Sequence, residues 1–217
     1  LLLCLLASPS SASPPQSTIV APATGASVRD TVDITVNYLR SVRALEIYVG
    51  GERFDRVEIQ SYRGSYTKQW DTRVFPDGAH TLRSYAAVSE SGALDQGSTP
   101  VTVIVDNTPP VITITQPVQG QVVNAQGRLV GTVADASAIA SLRYSVDGGD
   151  PIELTPGASF DALLQIATGG SHTIEVVATD SVGNEGSASV SVSSDATPPT
   201  VTAVVPPNGA TSIARTQ

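Results

Sequence analysis

The 217-residue chain is 41% hydrophobic but only 5% aromatic, with 18 Gly and 15 Pro; it is too apolar and too sparsely charged to be a disordered polymer. Its formal charge of −8 is uneven, eleven Asp/Glu against nine Lys/Arg over residues 13–106 and nine against two over 107–195. Such a balance argues against nucleic acid or an anionic membrane as partner, because phosphate binding needs a basic stripe, and it serves solubility instead.

Residues 1–15 read "LLLCLLASPSSASPP", an apolar run followed by small residues and prolines, as in the apolar segment and cleavage zone of a secretory signal. Cleavage is expected after Ala12, with the small Ser10 and Ala12 at the positions the peptidase reads. Residues 1–12 are then a signal-peptide remnant and 13–16 a linker, and the expected location is secreted or on the cell surface. The run is too short to span a bilayer. Cys4, the single cysteine, lies inside it, and Leu3 stands where a lipoprotein signal needs a small residue. The exported chain is expected to have no cysteine, which removes disulfides and thiolate metal sites and calls for domains that fold without staples.

The next stretch, "STIVAPATGASVRDTVDITV" (17–36), is an alternating strand, a proline, a Gly turn, a short apolar step and a second strand. In that second strand Val32, Ile34, Val36 and Tyr38 share one face, and Asp33, Thr35 and Asn37 the other. "LEIYVGGE" (45–52) runs from a strand into a Gly-Gly turn, and Val101, Val103 and Val105 close the series with the same period of two. Then the order repeats. "VITITQPVQGQVVNAQGRLVGTV" (111–133) answers 17–36, "LRYSVDGGD" (142–150) answers 45–52, and "GGSHTIEVVATDSVGNEGSASVSVSSDATPP" (169–199) answers "DGAHTLRSYAAVSESGALDQGSTPVTVIVDNTPP" (77–110). The offset drifts from 97 at Val49/Val146 through 92 at His80/His172 to 89 at the Thr-Pro-Pro pair, which places insertions and deletions in loops.

Each repeat of about 90 residues, with about seven strands and frequent turn signals, predicts an antiparallel β-sandwich. No stretch shows helical periodicity. The prolines of "DNTPP" cannot join a central ladder, and Pro109 biases Thr108 to an extended conformation, so the joint is short and stiff. The expected domains are 17–106 and 107–195, with 196–217 the truncated start of a third.

In their order and recurrence, the Gly-Gly turn, "DGAHTL", "ATDSVGN" and "VDNTPPVITI" resemble the repeat modules of bacterial immunoglobulin-like domains, over residues 16–195. "TPPTVTAVVPPNGATSI" (197–213) is similar to the opening of a related bacterial module. The resemblance implies an all-β fold of tandem immunoglobulin-like antiparallel β-sandwiches, used as spacer or binding module in adhesins or beside extracellular catalytic domains.

Catalytic signatures are absent: there is no G-x-S-x-G, P-loop, H-E-x-x-H or Cys-x-x-Cys. His80 and His172 recur at equivalent turn-flanking positions, as a scaffold imidazole bonded to local backbone would. No enzyme is expected. No cofactor is expected; calcium is the one alternative to test, since it takes six to eight oxygens, roughly, from Asp, Asn and carbonyls. Asp106 and Asn107 stand at the joint, Asp135 follows a strand, and Asp180 and Asn184 belong to "DSVGN". These resemble acidic linker ligands of cadherin-like and bacterial immunoglobulin-like tandems. Against them, Val88–Ala93 replaces Asp180–Asn184 in the first repeat, and Asp and Asn are ordinary turn residues.

A second candidate surface lies in residues 40–73, where Arg40, Arg43, Arg53, Arg56, Arg63, Lys68 and Arg73 alternate with acids, and where Tyr48, Phe54, Tyr62, Tyr66 and Trp70 cluster. Trp70, Tyr62 and Tyr66 could stack on sugar rings or fill the core. The expected function is a non-catalytic spacer or stalk of a larger secreted or surface protein; an adhesin or carbohydrate-binding module and the accessory domains of an extracellular hydrolase are the alternatives. Partners are further domains of the same polypeptide and a cell-surface glycan or protein. Prolines and charges near the sheet edges favour a monomer.

Overall fold

Apolar alternation becomes two sets of eight strands in the computed structural model, which describes residues 16–39, 42–87, 93–95, 97–124, 127–166, 168–195 and 200. The signal remnant at 1–12, linker residues 13–15 and nearly all of the third-domain start at 196–217 lie outside the described residues.

The first set comprises β1 (Ser17–Ala21), β2 (Ser27–Val28), β3 (Thr31–Tyr38), β4 (Ala44–Val49), β5 (Glu52–Glu58), β6 (Gly64–Asp71), β7 (Gly78–Ala87) and β8 (Val101–Val105). One sheet runs β1-β3-β6 and the other β2-β8-β7-β4-β5. The second set is β9 (Val111–Gln116), β10 (Val122–Val123), β11 (Arg128–Ala134), β12 (Ile139–Val146), β13 (Ile152–Leu154), β14 (Ser159–Leu163), β15 (Gly170–Asp180) and β16 (Glu185–Ser194). Its sheets, β14-β11-β9 and β10-β16-β15-β12-β13, reproduce the first topology strand for strand.

Each sandwich thus has eight strands, one more than the spacing predicts. The extra strand is the short apolar step after the Gly turn. Gly25 and Gly120 take positive φ, +81° and +75°, and send the chain to the other sheet. There β2 pairs parallel with β8, and β10 parallel with β16. Two residues carry too little periodicity to be read as a strand.

By Cα proximity the chain forms two compact units. The first runs to Pro109 and takes in Asp135–Ala138 and Asp180–Asn184; the second holds Pro110–Ala134, Ile139–Thr179 and the chain from Glu185. The first core gathers Ile34, Val36, Leu45, Ile47, Trp70, Leu82, Val103 and Val105, none more than 1% exposed. Leu129, Leu142, Tyr144, Ile174 and Val176 centre the second. Burying each such side chain contributes roughly 1.5–3 kcal/mol, so each sandwich owns a complete core. Among the described residues no helix is long and apolar enough to cross a membrane.

Candidate functional site

Three carboxylates nominated for a cation converge within the first unit. Asp106 follows β8, Asp135 follows β11, and Asp180 ends β15. One oxygen of each lies within 4.8 Å of the others. Asp106 and Asp180 are buried, at 3% and 2% exposure, and Asp135 is half-buried.

Local chain chemistry fixes each one. In "DSVGN" the Asp180 Oδ1 accepts the backbone N–H groups of Val182 (2.8 Å), Gly183 (2.6 Å) and Asn184 (2.9 Å). Gly183 supplies the positive φ, +100°, that this tight turn requires. Asp135 Oδ1 accepts from the Ser137 N–H at 2.7 Å. Asp106 accepts from the Thr108 N–H and from the Ser137 hydroxyl.

Charge is the unusual part. Among the described residues no Lys or Arg forms an ion pair with any of the three carboxylates. Burial, and then the charges of Asp106, Asp180 and Asp77, push the Asp135 pKa up against the Ser137 N–H. Burial also opposes the Asp180 charge, but the Asn184 amide and the backbone N–H groups of residues 182–184 outweigh it and hold that pKa below the ordinary carboxylate value. Like charges gathered out of water are costly without a counter-charge. A hard divalent cation, which takes oxygen ligands, suits such a donor set.

The two asparagines do a different job. Asn107 Oδ1 accepts from the Asp30 N–H (2.9 Å) and the Thr72 hydroxyl (3.2 Å), tying the end of β8 to the turn before β3. Asn184 donates through Nδ2 to the Asp106 backbone carbonyl (3.0 Å) and to Asp180 Oδ2 (2.8 Å), tying the Asp180 carboxylate to the backbone at Asp106. Asp77, overlooked in the sequence because "PDG" reads as an ordinary turn, accepts from the Asn107 N–H and the Thr108 hydroxyl. Those bonds, the hydroxyl foremost, lower its pKa.

The structure does not bring the three nominated aromatics together as a platform. Trp70 is fully buried, edge-on to Phe75 at 5.4 Å and 79°, and so has no face to offer a sugar. Tyr66 packs against the same core and donates to Asp55 at 2.8 Å; burial and then that carboxylate push its pKa up to about 12. Tyr62 alone is exposed, at 70%. Period-two alternation contains the reason, since Tyr66 and Trp70 are four residues apart in β6 and point to the same, inward, side.

Both histidines bond to a carbonyl four residues earlier: His80 Nε2 to Pro76 at 2.7 Å and His172 Nε2 to Thr168 at 3.0 Å. His172 adds a 2.7 Å contact from Nδ1 to Asp147.

Comparison with curated proteins found no match. Among solved structures, the chain is similar to fibronectin(III)-like modules of Clostridium thermocellum CbhA, at 21% identity and a TM-score of 0.40, over 82% of this chain and 93% of that one. It is also similar to a bacterial ice-binding adhesin, at 18% identity and a TM-score of 0.45, over 85% of this chain and 66% of that one. An endo-beta-1,4-mannanase from Thermotoga petrophila matches at 18% identity and a TM-score of 0.36, with 46% of this chain covering 21% of the enzyme. Likenesses this distant carry no argument about what the chain does. The sequence profile described as "Bacterial Ig domain" matches twice, over residues 15–83 and 110–192, one match to each eight-strand sandwich, and the chain belongs to that family.

Proposed function

We propose that the chain is a non-catalytic spacer segment of a larger secreted or surface protein. The observation that carries this reading is the doubling of one complete sandwich. Two units of identical topology each enclose their own apolar core, so each added unit lengthens a polypeptide without needing a partner to fold. A reporter displayed on cells through the whole chain should be reached by a bulky probe that cannot reach it through residues 1–106 alone. Equal accessibility with one unit and with two would refute the spacer.

A divalent cation, calcium by its preference for oxygen, is part of the same proposal. Asp106, Asp135 and Asp180 would hold it, with Asn184 bracing the Asp180 carboxylate and the Asp106 backbone. When bound it would supply the positive charge that this trio lacks. The support is the convergence of two buried carboxylates and a half-buried one with no basic ion-pair partner among the described residues.

A further inference from the structure

The outer face of the β2-β8-β7-β4-β5 sheet carries chemistry that a spacer does not need. Cross-strand register places Glu46 beside Arg56 and Tyr85, and Tyr48 beside Arg53 and Arg83. Tyr48 and Tyr85 meet edge-to-face at 5.1 Å and 72°. With Gly51, Thr81, Arg83 and Leu94 they line a pocket of about 310 Å³, at the small end of the range for ligand sites and of a size for one ring.

The charges on this face are unequal. Glu46, only 4% exposed, is already engaged by Arg56 at 2.6 Å and by the Tyr48 hydroxyl at 2.8 Å, with Arg53 at 3.4 Å. Arg83, by contrast, has no hydrogen bond or ion pair among the described residues, although its strand neighbours hold it half-buried at the pocket wall. Arg53 is more than half exposed. The face therefore offers one guanidinium fork, Arg83, that has no partner among the described residues, and a second cation nearby, against two acids, Glu46 and Glu58, that Arg56 already pairs. The Gly-Gly turn leaves the pocket mouth open, since nothing lies within 4 Å of where a Gly51 Cβ would be.

We propose that this pocket binds a uronic acid residue of an acidic polysaccharide. A guanidinium fork matches a carboxylate in two parallel bonds, and tyrosine rings give a sugar's C–H face an apolar surface while the Thr81 hydroxyl remains for its own hydroxyls. An acidic peptide would satisfy Arg83 but would leave the ring surface unused. The inference is independent of the spacer reading and of the carboxylate trio.

The test is calorimetric titration of the whole chain with trigalacturonate, with its methyl ester, and with a tri-glutamate peptide. Trigalacturonate should bind, the ester and the peptide at least about tenfold more weakly. Arg83→Gln should weaken trigalacturonate binding about tenfold or more, in line with loss of a charge-assisted pair. Arg83→Lys, which keeps the charge without the fork, should fall between. Unfolding midpoints of both variants are expected to match the parent, since Arg83 holds no hydrogen-bond or ion-pair partner among the described residues. The proposal is overturned if trigalacturonate does not bind at 10 mM or so, if ester or peptide binds as well, or if Arg83→Gln leaves affinity unchanged.

Discussion

Trp70 and His172 show what single residues contribute and how far each could be read in advance. Trp70 is the only tryptophan, and its complete burial makes it a reporter of the first core. Its emission should be blue-shifted and resist acrylamide quenching until the first unit unfolds; a red-shifted, freely quenched native state would contradict the structure. Trp70→Ala should destabilise that unit by about 3–5 kcal/mol. The sequence left Trp70 open between a sugar platform and the core, and nothing in it separates His172 from its counterpart His80. Only the fold shows that Asp147 and the Thr168 carbonyl both accept from the His172 ring, which requires a proton on each nitrogen. The Asp147 carboxylate first, then the Thr168 carbonyl, raises the His172 pKa against burial. A raised folded-state pKa gives stability that is complete below the unfolded value of about 6.5 and is lost as pH rises through the folded value. Asp147, its pKa lowered by the Thr173 N–H and by His172, gives stability above its ordinary value that is lost as pH falls through the depressed one. The second unit should therefore be less stable at pH 9 than at pH 6, and His172→Gln should flatten that slope in denaturant melts. An unchanged slope in the variant would remove His172 as its cause.

Among the elements, strand β11 makes the most specific demand on sequence. Gly131 pairs with Phe160 of β14 on one side and Ile114 of β9 on the other. A Cβ at 131 would run into the Phe160 ring and the Thr113 carbonyl, so the ring occupies the space that a side chain would take. Gly131→Ala should destabilise the second unit by about 1–3 kcal/mol. Adding Phe160→Leu should recover part of that loss if ring crowding is the cause. Chemical denaturation of the two variants and the double variant checks both statements, and purely additive losses would argue against the crowding account. The other long strands were legible because each buries one face and so alternates cleanly. Gly131 was read as one more strand position because its reason is a neighbour some thirty residues away in sequence, which periodicity does not encode. The same limit hid β2 and β10, whose pairing with the last strand of each sandwich depends on a turn rather than on a pattern.

At the scale of the molecule, the tandem was written in the sequence, since a repeat needs only self-comparison. The carboxylate trio was half-written. Asp106, Asp135 and Asp180 were nominated from three separate segments, but their convergence, the bracing role of the asparagines and the charge of Asp77 depend on tertiary placement. That placement gives calcium and one substitution opposite signs. Without metal, the trio repels itself, and burial with the neighbouring carboxylates raises the Asp135 pKa, so Asp135→Asn should raise the calcium-free unfolding midpoint of the first unit. With metal, the same carboxylate would be a ligand. At a free calcium concentration a hundredfold above Kd, binding to the folded state alone should stabilise the parent by about 2.7 kcal/mol, and Asp135→Asn should lose most of that gain. Because all three carboxylates group with the first unit, Trp70 emission should follow the shift. Crossing of the two variants' stabilities between EDTA and calcium is the signature of a cation site. A parent midpoint indifferent to calcium, or an Asp135→Asn variant that is weaker in both conditions, would leave the trio as turn chemistry alone.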